Sequence, residues 1–190
     1  MGFRIFIFFS GLELESELAK ILFGVGFVMT NITMTYFYVA LFHAWAKLYG
    51  NNYSTKKNVK FYFIIVYICF LIRIFLILLP YNHWFDYEPP LDFGFDFRII
   101  TAIPLYIIGF LTVGFMFKHS KTELQNPSNI NPDWSRGNYN ASICYIVSFI
   151  CFSFTVFLVV YIPLMGLFMI PKTIAYLIAL YYHYKYLLSK

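Results

Sequence analysis

The sequence predicts an all-α, polytopic membrane helix bundle of about five transmembrane helices, with its N-terminus outside and its C-terminus inside. Composition is the first reason. Of the 190 residues, 61% are hydrophobic, 23% aromatic and only 12% charged, where an ordinary soluble domain carries about 25% charged residues. Mean hydropathy is +0.68. Run length is the second reason, because several apolar stretches reach the ~20 residues that a helix needs to cross ~30 Å of hydrocarbon. A closed barrel would instead require short segments of alternating polarity, and these runs are apolar on every face. The third reason is the uneven distribution of lysine, which sets the orientation.

Residues 1–190 read as a single integral membrane domain. The segment Phe3–Phe9 is apolar but too short to cross, and Glu13, Glu15 and Glu17 follow it where a secretory signal would place small residues and a cleavage site. It is expected to be retained at the interface. The first span, about 18–46, lies in a stretch longer than one crossing requires, which implies tilt or extension beyond the bilayer. The second, 61–79, is bounded by Lys56, Lys57 and Lys60 before it and Pro80 after it. The third covers about 99–117. From Ala141 to Leu188 the chain is too long for one crossing, and Pro163, Gly166 and Pro171 divide it into a helical hairpin with arms at 141–162 and 172–188.

Orientation follows from the loops. Residues 47–60 hold four lysines and no acid, the inner loop 118–139 adds Lys118, Lys121 and Arg136, and the tail has Lys185 and Lys190. On the opposite side are the N-terminal glutamates and the loop 80–98, with Asp86, Glu88, Asp92 and Asp96. Excess Lys and Arg marks the cytoplasmic side. Trp45, Trp84 and Trp134 fall at the expected boundaries or in adjacent loops, where an indole favours the headgroup layer. The net charge of +5 therefore reports topology, and no basic stripe points to nucleic acid. Without organelle signals, the expected location is a cell membrane, with a prokaryotic plasma membrane as the default.

Arg73 inside the second span is the strongest functional signal. A cation at the centre of a span costs roughly 2.5–3.5 kcal/mol on insertion scales and marks a site by default. Lying six residues before Leu79, it is placed to snorkel outward or to pair with Asp86 or Glu88. Its planar fork also suits a carboxylate or phosphate. On the first span Asn31, Thr35 and Tyr38 share one helical face, which serves either as interhelical hydrogen-bonding glue or as the wall of a cavity beneath Arg73.

The outer loop 80–98, with adjacent prolines and seven aromatics, is expected to fold back as a lid. His83, Trp84, Asp86, Glu88 and Arg98 are its candidate ligand contacts. Spacing in the loop matches no metal motif, so no metal, cofactor or catalytic residue is assigned. Cys144, Ser148, Cys151 and Thr155 recur at helical spacing, a stripe that lets helices approach closely. His43, His119 and His183 fall at the inner ends of their spans, where imidazoles usually anchor at the interface. Three at one level would offer a metal or haem ligand set, on which no assignment is made.

Together these features predict a protein that binds or transports a small anionic or amphipathic ligand through an outward-facing helix-bundle cavity. Membrane lipids and either a homo-oligomer or a partner membrane subunit are its expected associates. One alternative is a membrane-embedded enzyme acting on lipid or isoprenoid substrates, with His83 and the loop carboxylates as acid and base; no nucleophile motif supports it. The other is a non-catalytic sensory or scaffold subunit.

Overall fold

The computed structural model describes residues 17–49, 56–82, 97–126, 132–158 and 167–188. Among them every element is helical: α1 (Glu17–Tyr49), α2 (Lys56–Leu78), a 3-10 turn (Pro80–Asn82), α3 (Phe97–Gln125), α4 (Pro132–Leu158) and α5 (Met169–His183), which a π-helical segment (Tyr184–Leu188) continues. Four helices, α1 to α4, are long and apolar enough to cross a membrane. The fifth, α5, is 15 residues long and its π continuation 5, which together reach the ~20 residues of a crossing.

The helices run past the apolar stretches that announced them. Residues 118–125 and 132–139, expected in a loop from their polarity, belong to α3 and α4. Hydropathy records where the solvent changes, whereas a helix ends only where its hydrogen-bonding ladder is broken. At 33 residues, α1 is roughly 50 Å long, well beyond one hydrocarbon thickness. Pro171, expected to separate the arms of the hairpin, lies in the first turn of α5. Proline is tolerated there because the first turn has no carbonyl partner for its missing N–H.

The end of α2 is closed by its own sequence. Pro80 follows the last turn, and the buried Asn82 Nδ2 donates to the carbonyls of Leu76 at 2.6 Å and Leu79 at 3.1 Å. These are among the orphan acceptors that a helix C-terminus leaves, and a side-chain amide takes the place of water there. Pro80 to Asn82, read from sequence as the start of the outer lid, therefore form a cap on α2.

By contacts the chain falls into two compact units, residues 1–39 with 64–108, and residues 40–63 with 109–190. In the first, Thr35, Tyr38, Arg73, Ile77, Thr101 and Leu105 are buried. Phe75, Leu78 and Ile103 are exposed there, which suits side chains whose solvent is lipid.

In the second unit, Phe42, Trp45, Tyr49, Met116, Tyr145 and Phe149 are buried. Small residues set the spacing in this unit. Gly109 faces the ring of Phe149, and Gly137 faces Tyr186 of the π segment. On α4 the Cys144–Thr155 stripe turns inward as its spacing implies, with Ser148 and Cys151 buried, and all three cysteines are free thiols.

Gly137 is the tightest constraint on main-chain approach, since a Cβ there would lie 2.6 Å from the Cβ of Tyr186. A Cβ cannot rotate away from its backbone, so Gly137→Ala must push α4 from the C-terminal segment. The expected loss is about 1–3 kcal/mol, read as a lower melting temperature in detergent. Gly114→Ala is the control: an added methyl meets nothing within 4 Å, and helix propensity predicts no loss.

Candidate functional site: the Arg73 guanidinium in the first unit

Four polar side chains follow one another on α1, and each of them turns back to its own helix. Thr30 Oγ1 donates to the Gly26 carbonyl at 2.6 Å, Asn31 Nδ2 to Phe27 at 2.9 Å, Thr33 Oγ1 to Met29 at 2.7 Å and Thr35 Oγ1 to Asn31 at 2.7 Å. In an apolar solvent such back-bonding satisfies a donor locally. It also fixes what is left over. Asn31 has its amide nitrogen engaged and presents Oδ1; Thr35 has its only proton engaged and presents lone pairs.

Arg73 of α2 meets these acceptors. Its Nε donates to Thr35 Oγ1 at 2.8 Å, its Nη2 donates to Asn31 Oδ1 at 2.7 Å, and its Nη1 donates to the carbonyl oxygen of Thr101 on α3. One guanidinium therefore joins α1, α2 and α3 inside the first unit. Pro104 lies in α3, three residues after Thr101. It has no N–H to offer the carbonyl four residues earlier, that of Ile100, so one ladder bond is missing in the turn that contains Thr101. A carbonyl has two lone pairs and accepts a second donor without giving up its first.

Arg73 is 1% exposed. That corrects the expectation that it snorkels outward: its head is held inward by three neutral oxygens. Among the described residues no carboxylate lies within ion-pair distance of it. Of the five guanidinium N–H groups, the three bonds leave one on Nη1 and one on Nη2.

No family model, curated protein or solved structure matches this chain.

Of the residues singled out from sequence, Arg73, Asn31 and Thr35 come together directly. Tyr38 is buried on the same helix and meets Phe37 edge-on, with ring centroids 5.6 Å apart. His83, Trp84, Asp86 and Glu88 lie outside the described residues, as does the side chain of Arg98. Sequence reasoning missed Thr101 because its contribution is a backbone oxygen, which carries no residue signature; Pro104 marks a missing bond in the same turn but frees the carbonyl of Ile100 and not that of Thr101.

A second polar constellation lies in the other unit. Trp45 Nε1 donates to His119 Nδ1 at 3.1 Å, and the two hydroxyls of Tyr49 and Ser120 are 3.1 Å apart. Asn138 Nδ2 donates to Tyr49 Oη at 3.3 Å. The indole of Trp45 also stacks on Phe115, with centroids 4.9 Å apart, and is 4% exposed. Trp45 is thus a core residue rather than the headgroup anchor its position suggested. Of the other histidines, His43 is exposed and lies edge-on to Phe63 at 4.9 Å. His183 packs against Tyr145 at 5.9 Å. Among the described residues no three His, Cys, Asp or Glu side chains converge as a metal site would require.

The Arg73 geometry makes a definite energetic prediction. Asn31→Leu with Thr35→Val strips two acceptors from a buried charge, and the expected cost is about 3–5 kcal/mol. Adding Arg73→Met to that pair removes the uncompensated charge, so most of the stability returns. Chemical denaturation in mixed micelles reads both values. A triple variant no more stable than the double would show that the guanidinium is not held as described.

Proposed function

We propose that this multi-pass membrane protein binds a small anionic or amphipathic ligand, with Arg73 receiving the ligand's carboxylate or phosphate. One observation carries the reading: a buried guanidinium held by neutral oxygens keeps its full charge and two N–H donors, one on each terminal nitrogen. Neutral acceptors fix its position without cancelling its field, and in surroundings of low dielectric that field is strong. A carboxylate or phosphate oxygen offers what the remaining donors need.

In this reading the lysine asymmetry sets the N-terminus outside and the C-terminus in the cytoplasm of a plasma membrane. The segment between Asn82 and Phe97 is proposed to cover the site from outside, with His83, Trp84, Asp86 and Glu88, and with Arg98 beside it, as further contacts. Transport, in place of binding alone, would call on a second copy or a partner subunit, since five unrepeated spans are few for a complete pathway. A second reading rests on the same three bonds: Arg73 as a strut that only ties α1, α2 and α3 together.

Ligand-induced stabilisation separates the two. The purified protein in detergent is titrated with decanoate, lysophosphatidic acid and inorganic phosphate while its melting temperature is followed. A ligand at a hundredfold excess over its Kd stabilises by about 2.7 kcal/mol, an increase large enough to read. The expected result is a saturable rise with at least one anion, absent in Arg73→Met. Equal rises in both proteins, or none with any probe, favour the strut.

A further inference from the structure

We propose that His119 is a proton-operated latch between α3 and α1 in the second unit, closed on Trp45 while its imidazole is neutral and released when the ring takes up a proton. One atom carries the argument. His119 Nδ1 lies 3.1 Å from the indole Nε1 of Trp45 and 3.0 Å from the carbonyl oxygen of Phe115, one turn earlier on its own helix. An indole N–H can only donate, and a carbonyl oxygen can only accept. A ring nitrogen without a proton receives the first, and a ring nitrogen with one gives to the second. The two bonds therefore exclude each other, and the charge on the ring selects between them.

Each state has its own support. With the proton on Nε2 alone, Nδ1 accepts from Trp45, and the bond joins α1 to α3. Protonation fills Nδ1, whose new N–H has the Phe115 carbonyl as its acceptor in a charge-assisted bond. The ring of Tyr49 stacks on the imidazole, with centroids 6.0 Å apart and planes at 25°, and an aromatic face attracts a cation at that range. The indole N–H then faces another donor. Trp45 is buried and stacked on Phe115, where an N–H that has lost its acceptor is costly, so release shifts the indole. A change of one proton thereby becomes a change in packing between two helices, the way in which histidine switches generally act.

The surroundings leave the switch to the imidazole itself. Among the described residues, the charged groups that act on His119 are Lys118 and Glu123, one of each sign and both on α3. From α1 it meets Trp45 and Tyr49. Tyr62 of α2 lies edge-on to Phe115 at 4.7 Å, and Asn138 of α4 donates to the Tyr49 hydroxyl. His119 is half-buried in the polar last turns of α3, where protons from solvent reach the ring.

The test is solid-state NMR on the full chain, carrying 15N-histidine and 15N-tryptophan, in phosphatidylcholine bilayers. Spectra are taken at about pH 8 and about pH 5, limits between which an imidazole ordinarily changes charge. The chain has four histidines and three tryptophans. The two signals are assigned by their loss in His119→Gln and Trp45→Phe, or in His119→Asn and Trp45→Tyr should the first pair fail to fold. At the higher pH a bare His119 Nδ1 that correlates strongly with Trp45 Nε1 is expected. At the lower pH Nδ1 carries a proton and that correlation falls several-fold. A proton on Nδ1 at the higher pH, a ring still neutral at the lower one, or a correlation that outlasts protonation overturns the proposal. Tryptophan emission in detergent gives a second reading: the change between the two pH values is expected to shrink in His119→Gln, and an identical change in both proteins overturns the proposal.

Discussion

Hydrocarbon offers no hydrogen-bond partner, and the polar side chains of this protein are arranged by that constraint. Most of them solve it alone, turning back to a carbonyl four residues earlier, as Thr30, Thr33 and Thr173 do. Arg73 cannot, because its donors outnumber anything its own turn can accept. It must be met by other helices, and α1 is composed to meet it. Back-bonding on α1 engages the amide nitrogen of Asn31 and the hydroxyl proton of Thr35 and leaves the oxygens of both side chains to accept. The same bonds that make α1 self-sufficient make it an acceptor surface for a cation.

Neutral acceptors have a consequence that a carboxylate would not. An aspartate at position 31 or 35 would form a buried ion pair, cancelling the charge it holds and carrying its own desolvation cost. An amide oxygen, a hydroxyl and a backbone carbonyl orient the guanidinium without neutralising it. Three contacts from two other helices also leave the side chain little freedom, so any group that approaches meets a preorganised donor.

Much of this arrangement was legible in the sequence, and the parts that were not share a cause. Run length and composition imply helices; a lone arginine among Ile, Leu and Phe implies a site; the Asn31–Thr35 spacing places two acceptors on one face. Helix rotation and exact length are absent from such signals. Trp45 sits where an interfacial anchor belongs, yet it turns inward to stack on Phe115 and reach His119, since position along a helix does not specify which neighbour a side chain faces. Ser120 and Asn138 looked like loop residues because they are polar. They lie in helices that outlast the apolar stretch and pair with Tyr49 at helix ends. Thr101 was invisible for a different reason, as any residue could supply its carbonyl.

The choice of arginine over lysine at position 73 is informative once the acceptors are known. A lysine ammonium has three donors on one atom, enough to satisfy three oxygens and no more. It would hold the helices together with nothing left to offer. Guanidinium spreads five donors over three nitrogens in a plane, so three bonds to Thr35, Asn31 and Thr101 still leave donors on both terminal nitrogens. For a strut, lysine would serve with a smaller and more flexible side chain. Arginine adds capacity beyond what holding α1, α2 and α3 requires, and it adds it as donors on a fixed frame. In the proposed reading, an anion with two oxygens is the partner whose chemistry uses that surplus.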